Sequence, residues 1–388
     1  MNIAYILNAT TPTGGATKSF MTMLRGLMTM GVKPVVIVPD HAGIYVDLEK
    51  MGVPVYAVTF RTYTYSHTET LVQKLLFIPR MVAKIIANKR AEKVVTRILK
   101  ERRVDIVHTN VGLVNIGFRA SRNLGLPHVY HLREYGEKDF GVRYFPRWNN
   151  FYRQLEANGS YTICITRDIQ AYHHQKGKPT SAVIYNAICA QKDNKPLDAG
   201  PKEFFLFAGR LQSAKGVDFM LEAYSLYASK TAQPLQLRIA GELSDSVYVE
   251  KLKSFVALHK LQSCVKFLGE CHNVEELMRG ARATIIPSLH EAFGRVMPEA
   301  MLQGCLCIAH DTAGTKEQLD NGLRLTGDEI ALRYDTTEEL AQLLAEVASR
   351  PANYYDGYRE RAFRVVNQLY TQESNARQVY DFYREILG

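Results

Sequence analysis

Residues 287–317 read PSLHEAFGRVMPEAMLQGCLCIAHDTAGTKE. The apolar run over 281–287 predicts a strand that ends where this stretch begins, and 305–310 predicts a second strand. Between them Pro298 is placed to open a short helix and Gly304 to stop it. Two carboxylates bracket the connection. Glu291 lies where the chain leaves the first strand, and Glu299 lies in the first turn of the helix. Backbone N–H groups at a helix start have no intrahelical partner and suit an anion. A diphosphate flanked by two hydroxyl-rich groups fits this layout: the helix start takes the phosphates, and each Glu accepts from a pair of hydroxyls. The plainer alternative is a strand–loop–helix unit with two surface glutamates, so the surrounding sequence decides.

Upstream, Phe204-Phe205-Leu206-Phe207 predicts a buried strand, followed by GRLQSAKG at 209–216 and a helix from Val217. The planar guanidinium of Arg210 can grip two phosphate oxygens, and Lys215 adds a point charge. Together they can stabilise a departing diphosphate without a metal, and the chain contains no D-x-D motif. A solvated basic loop is the alternative reading. Further strands are expected to end at Gly241 and at Gly269.

The N-terminal half opens strand, glycine-bearing loop, helix. The loop is TTPTGGATK at 10–18, where Gly14 and Gly15 let backbone approach a ligand. It lacks the G-x-G-x-x-G spacing and the acidic residue of a dinucleotide site, which argues against a nicotinamide enzyme. Strands are expected at 34–38, 53–58, 105–109, 128–131 and 161–165. Strands alternating with helices predict parallel α/β layers, and 388 residues exceed one ordinary core, so two domains are expected. Carboxyl ends of strands in such sheets line the binding crevice. That makes His131 a candidate, with Arg133, Glu134 and Lys18 as further candidates for acceptor or phosphate contacts.

Taken together, E-A-F-G-x-x-x-x-E-A at 291–300, G-R-L-x-x-x-K-G at 209–216 and H-x-R-E-x-G at 131–136 resemble the family 4 retaining glycosyltransferases, in particular their capsule and cell-surface-polysaccharide members. The resemblance implies the GT-B fold, with two Rossmann-like domains facing across a cleft and a C-terminal helix crossing back to the first. It implies an acceptor domain over 1–190 joined by helix 372–388, a linker over 191–200, and a nucleotide-sugar domain over 201–371. Transfer of a hexose-type sugar from a nucleotide-diphosphate donor to a hydroxyl, with the anomeric configuration kept, is the implied reaction. Glu291 would meet sugar hydroxyls and Glu299 the ribose. Arg210 and Lys215 would bind the diphosphate, and His131 would point at the sugar. Gly14, Gly15, Gly209, Gly241, Phe293, Gly294 and Arg295 would line the donor site, and the backbone of Phe267 and Leu268 would meet the base. No cofactor and no metal are expected. Three places depart from the family pattern: Ala187 and Cys189 in the hinge, Leu243 where a second glycine is common, and AGTKE at 313–317 where G-G-x-x-E is common. A catalytically idle partner subunit, or a phosphorylase or sugar-phosphate synthase with a soluble acceptor, are the alternatives.

The net charge of +9 is unevenly placed. Residues 74–103 carry ten Lys or Arg against two Glu, a net +8. Apolar pairs at Met81/Val82, Ile85/Ile86, Val94/Val95 and Ile98/Leu99 predict an amphipathic helix over 79–103. It reads either as a core helix with a solvated basic face or as a dock for an anionic membrane surface. No nucleic-acid motif accompanies the basic run. No stretch of 18 apolar residues occurs, the start lacks the pattern of a signal peptide, and the six cysteines have no C-x-x-C spacing. These features predict a cytoplasmic protein, peripheral on the inner face of a membrane, and the resemblance implies a saccharide or lipid-linked saccharide as acceptor.

Overall fold

The computed structural model describes residues 1–66, 71–145, 148–191, 202–243 and 246–388. It divides into two compact units: Met1–Cys189 with Gln372–Gly388, and Ala190–Thr371. Apart from Gln191, the linker expected over 191–200 lies outside the described residues.

The strands of the first unit are β1 (Asn2–Ile6), β2 (Lys33–Val38), β3 (Val55–Ala57), β4 (Thr64–Ser66), β5 (Ile106–Thr109), β6 (His128–Leu132), β7 (Val142–Tyr144), β8 (Ser160–Cys164) and β9 (Ser181–Val183). Seven of them form one sheet in the order β3-β2-β1-β5-β6-β8-β9, and the pairings are parallel. β4 and β7 form a separate antiparallel ribbon. The main strands are buried on both faces, as their unbroken apolar runs require. One layer of core lies under helices Gly15–Thr29 and Gln372–Leu387, which supply Phe20, Leu24, Val379 and Tyr383. The opposite layer lies under helix Phe77–Glu101, which supplies Ala91, Val95, Ile98 and Leu99.

The last helix therefore belongs to the first unit. It packs on Gly15–Thr29 so closely that a Cβ at Gly26 would stand 2.6 Å from that of Ala376. Its N-terminal backbone is tied to the same unit by Gln372 N–H donating to the Cys189 carbonyl at 2.8 Å.

The strands of the second unit are β10 (Phe204–Ala208), β11 (Gln236–Ala240), β12 (Val265–Gly269), β13 (Ala283–Ile286), β14 (Cys307–His310) and β15 (Leu332–Tyr334). They pair in parallel in the order β12-β11-β10-β13-β14-β15. The helix after β13 runs Val296–Leu302, so it starts ahead of Pro298, the expected first residue. Proline is accepted anywhere in a first turn, where its missing N–H costs no bond. Similarly, the basic helix runs Phe77–Glu101 rather than 79–103 and is preceded by a short helix Leu71–Leu75. No helix among the described residues is long and apolar enough to cross a membrane.

Gly26→Leu should lower the stability of the chain by about 1–3 kcal/mol, the usual cost of overpacking a tight contact. Urea unfolding followed by circular dichroism reads this. An unchanged midpoint would show that the last helix is not held at this crossing.

Candidate functional site

In the second unit the chain leaves β10 towards β11 on one side and reaches β13 on the other. The carboxyl ends of β10 and β13 are thus the topological switch point of the sheet, where loops diverge and leave a crevice. The two loops meeting there are 209–216 and 287–295. Leu289 N–H donates to the Ala214 carbonyl at 3.1 Å, which fixes one loop against the other. Lys215 Nζ then lies 2.5 Å from Glu291 Oε1, and Ser288 Oγ donates to the same oxygen at 2.9 Å. Gly314 N–H donates to the Glu291 backbone carbonyl at 2.9 Å, holding the loop from the far side.

Arg210, the other expected phosphate ligand, is exposed, with no side-chain partner among the described residues. Arg295 grips Glu299 one turn further on, with nitrogen–oxygen distances of 3.1 and 3.0 Å. Phe293 is buried edge-on against Tyr370 and anchors the loop from beneath. The Gln318 side-chain amide donates to the carbonyls of Phe293 and Gly294, the latter at 3.1 Å. A Cβ on Gly241 would stand 1.7 Å from the Gly209 carbonyl oxygen, so this crossing beside the crevice admits only glycine. Phe267 and Leu268 lie on the edge strand β12, Phe267 half-buried against the core and Leu268 exposed.

In the first unit the switch point falls between β1 and β5. Helix Gly15–Thr29 begins there with Gly14 as its N-cap, no capping side chain and no acid in its first turn. The φ of −65° at Gly14 is open to any residue, so conformational freedom is not what this glycine supplies. Lys18 is exposed on the first turn.

His131, at the end of β6, is fully buried. Arg133 Nη2 lies 3.2 Å from its Nδ1 and can only donate, so Nδ1 accepts and the ring proton sits on Nε2. His108 Nε2, 3.1 Å from the same Nδ1, must then donate as well, which makes His108 Nδ1 the acceptor for the Tyr383 hydroxyl at 2.5 Å. The ordered chain Tyr383, His108, His131 ends on an Nε2–H that has no partner among the described residues. Burial holds both imidazoles well below the usual histidine range, and the Arg133 cation adds to this, so both rings are neutral.

Arg133 and Glu134, the further candidates for acceptor or phosphate contacts, are buried. Arg133 donates to Asn110 at 3.0 Å and to Asn186. Glu134 accepts from Gly112 N–H at 2.6 Å, beside Tyr144 and Phe151. Burial pushes the Glu134 carboxyl up to about 8, with Asp139 adding, against the opposing pull of the Gly112 N–H and Arg133.

Residues 14–187 match the model of the glycosyl transferase 4-like domain, and residues 190–364 match that of glycosyl transferases group 1. The chain belongs to the family 4-like glycosyltransferases. The glycosyltransferase MJ1178 of Methanocaldococcus jannaschii is 23% identical over 303 residues, covering 74% of this chain and 81% of that one. The lipopolysaccharide core biosynthesis mannosyltransferase LpcC of Rhizobium leguminosarum bv. viciae is 27% identical over 184 residues, 46% of this chain and 50% of that one. Among solved structures, HepE of Anabaena in complex with UDP superposes with a TM-score of 0.75 at 19% identity, over 99% of this chain and 100% of that one. The fold is GT-B.

Several residues of this glycosyltransferase's candidate site escape sequence reasoning: His108, Asn110, Tyr383, Ser288 and Gln318. Asn110 had a signal, because it follows directly on the carboxyl end of β5. His108 had less, because its role depends on Tyr383, which is 275 residues away.

The raised Glu134 carboxyl has a consequence for stability. The folded chain holds a proton there that the unfolded chain has released, so the contribution is complete below about pH 4.5 and is lost as pH rises towards about 8. Glu134→Gln, which cannot ionise, should flatten the fall in denaturant midpoint across that window. Parallel pH profiles for the variant and the parent would show Glu134 to be ionised in the fold.

Proposed function

We propose that the glycosyltransferase moves a hexose-type sugar from a nucleotide-diphosphate donor to a hydroxyl of a lipid-linked saccharide in cell-surface polysaccharide synthesis, with retention of the anomeric configuration. The observation that carries this reading is the Lys215–Glu291 pair at the switch point of the second unit, 2.5 Å apart and only partly buried. A lysine and a carboxylate satisfied by one another are in register for a ligand that separates them, with a diphosphate oxygen for the ammonium and sugar hydroxyls for the carboxylate. The exposed Arg210 supplies a second cation for the same phosphates. HepE, the structural neighbour, has been solved with UDP and glucose, and LpcC is named as a mannosyltransferase of lipopolysaccharide core synthesis. Both names agree with the proposed donor and acceptor classes.

In the proposed step the acceptor oxygen attacks the anomeric carbon on the face from which the diphosphate departs. The bond from that carbon to the phosphate oxygen breaks with its electron pair, and the acceptor's proton passes to the departing diphosphate. No protein nucleophile and no metal are required. Arg210 and Lys215 neutralise the charge that develops on the leaving group, Glu291 orients the sugar, Glu299 holds the ribose, and the neutral Nε2–H of His131 donates to a sugar oxygen. The basic helix Phe77–Glu101 is proposed to face an anionic membrane surface at the inner side of a cell membrane, where lipid-linked acceptors reside.

Glu291→Ala should reduce turnover roughly 100- to 1,000-fold, the loss typical of one transition-state contact, while Glu299→Ala should chiefly weaken nucleotide binding. Near-full activity in both folded variants would remove the assignment. Arg210→Ala or Lys215→Ala should weaken a nucleoside diphosphate far more than the bare nucleoside in calorimetry, and equal losses would mark a structural role.

The anomeric outcome is read by NMR of the first-formed product, and an inverted product would overturn the retaining step. Activity should survive a chelator; a strict need for magnesium or manganese would overturn the metal-independent reading.

A further inference from the structure

We infer that helices Leu71–Leu75 and Phe77–Glu101 present a single stripe to an anionic lipid bilayer, with its first half inserted among acyl chains and its second half seated on headgroups. This rests on the proposed lipid contact of the basic helix and changes its nature from attraction at the surface to insertion.

One face of the long helix is fixed to the first unit. Met81, Asn88, Ala91, Val95, Ile98 and Leu99 are buried at helical spacing. The Asn88 side chain bonds both the N–H and the carbonyl of Arg61, at 2.8 and 2.9 Å, and Lys84 Nζ donates to the Thr64 carbonyl at 2.8 Å. The helix therefore cannot roll to hide its other side. The apolar pairs in the sequence do not form one face: Met81 and Val95 are buried, whereas Val82, Ile86 and Val94 are exposed.

On the outward side Leu71, Leu75, Ile78, Val82 and Ile86 follow one another at steps of four, three, four and four residues, with exposures of 72%, 71%, 61%, 49% and 49%. Ile78, Val82 and Ile86 thus line up over about 12 Å of the long helix, and Leu71 and Leu75 precede them on the short one. Beyond Ile86 the same stripe continues at steps of three, four and four, and every residue becomes a cation: Lys89, Lys93 and Arg97, all exposed. The acids of the helix are off this line. Glu92 is turned towards Arg119 and Asn123, and Glu101 closes the helix.

A row of apolar side chains left to water marks a docking surface. The sharp change from apolar to cationic along one line identifies the occupant. A bilayer presents two layers of that order, acyl chains beneath and anionic phosphate above. A helix pinned on its inner face and tilted with Leu71 deepest matches both layers with one stripe.

The test uses the full chain with vesicles of phosphatidylcholine alone or containing phosphatidylglycerol. Parent protein should bind the anionic vesicles, and part of that binding should survive high salt, because insertion is not screened. The triple variant Leu75→Ser, Ile78→Ser, Val82→Ser should keep its unfolding temperature yet bind at least about tenfold more weakly at low salt and lose the salt-resistant part. Ile78→Trp emission, after subtraction of the parent's single tryptophan, should shift to the blue on vesicles. If the parent binds but the triple variant matches it and Ile78→Trp does not shift, insertion is wrong and surface attraction alone stands. If the parent does not bind, both readings fall. Concentration-dependent self-association without vesicles that the triple variant abolishes would assign the stripe to a second copy of the chain and overturn the lipid assignment.

Discussion

Crossover connections between parallel strands are right-handed, so a doubly wound sheet can grow in both directions only by starting from an inner strand. That constraint sets the layout of both units. In the first unit the chain starts on β1, builds outward through β2 and β3, and returns to lay β5 on the other side; the second unit does the same from β10. Adjacent loops must then leave in opposite directions, and the gap between them is an unavoidable product of the winding. Residues after β10 and β13 face that gap for topological reasons, and chemistry is left to choose their side chains. Arg210, Lys215 and Glu291 occupy those places.

The two gaps are finished differently. In the second unit charges pair and remain partly open to solvent: Lys215 with Glu291 across two loops, and Arg295 with Glu299 along one helix start. In the first unit the polar groups are buried and ordered by donor–acceptor logic. A buried arginine that can only donate fixes the proton on one histidine, and that histidine fixes the next. The cost of hiding Arg133, His108 and Glu134 is offset by the partners each of them finds. The Nε2–H of His131, left over in this arrangement, is a neutral donor, because burial holds the ring well below the usual histidine range.

Much of the architecture was legible in the sequence because buried parallel strands are continuous apolar runs that end in glycine or polar residues. Phe204–Ala208 and Val265–Gly269 lie within a residue of where those runs placed them. The ribbon of Thr64–Ser66 with Val142–Tyr144 was not visible, since three-residue strands carry too little pattern. At the candidate site, the spacing of Glu291 and Glu299 was readable as two carboxylates around a helix start. Their partners were less so: Lys215 reaches Glu291 across 76 residues of chain, and only the fold shows that the two loops lie side by side. Arg133 and Glu134 pose the opposite difficulty. Charged residues are seldom buried, so a charged pair beside a strand end suggests ligand contacts, and the sequence does not show that both are buried and bonded to the loops that follow neighbouring strands.

The helix Gln372–Leu387 gives the chain a particular order of assembly. The first unit is interrupted in sequence by the whole of the second, and its closing helix is synthesised after it. Domains tend to fold as they emerge from the ribosome, yet Ala376, Val379 and Tyr383 are missing from the first core until the whole of the second unit has been made. The second unit, contiguous over Ala190–Thr371, can complete its own core earlier. The unit made first is thus the unit finished last, and the buried relay through His108 is completed only when Tyr383 docks.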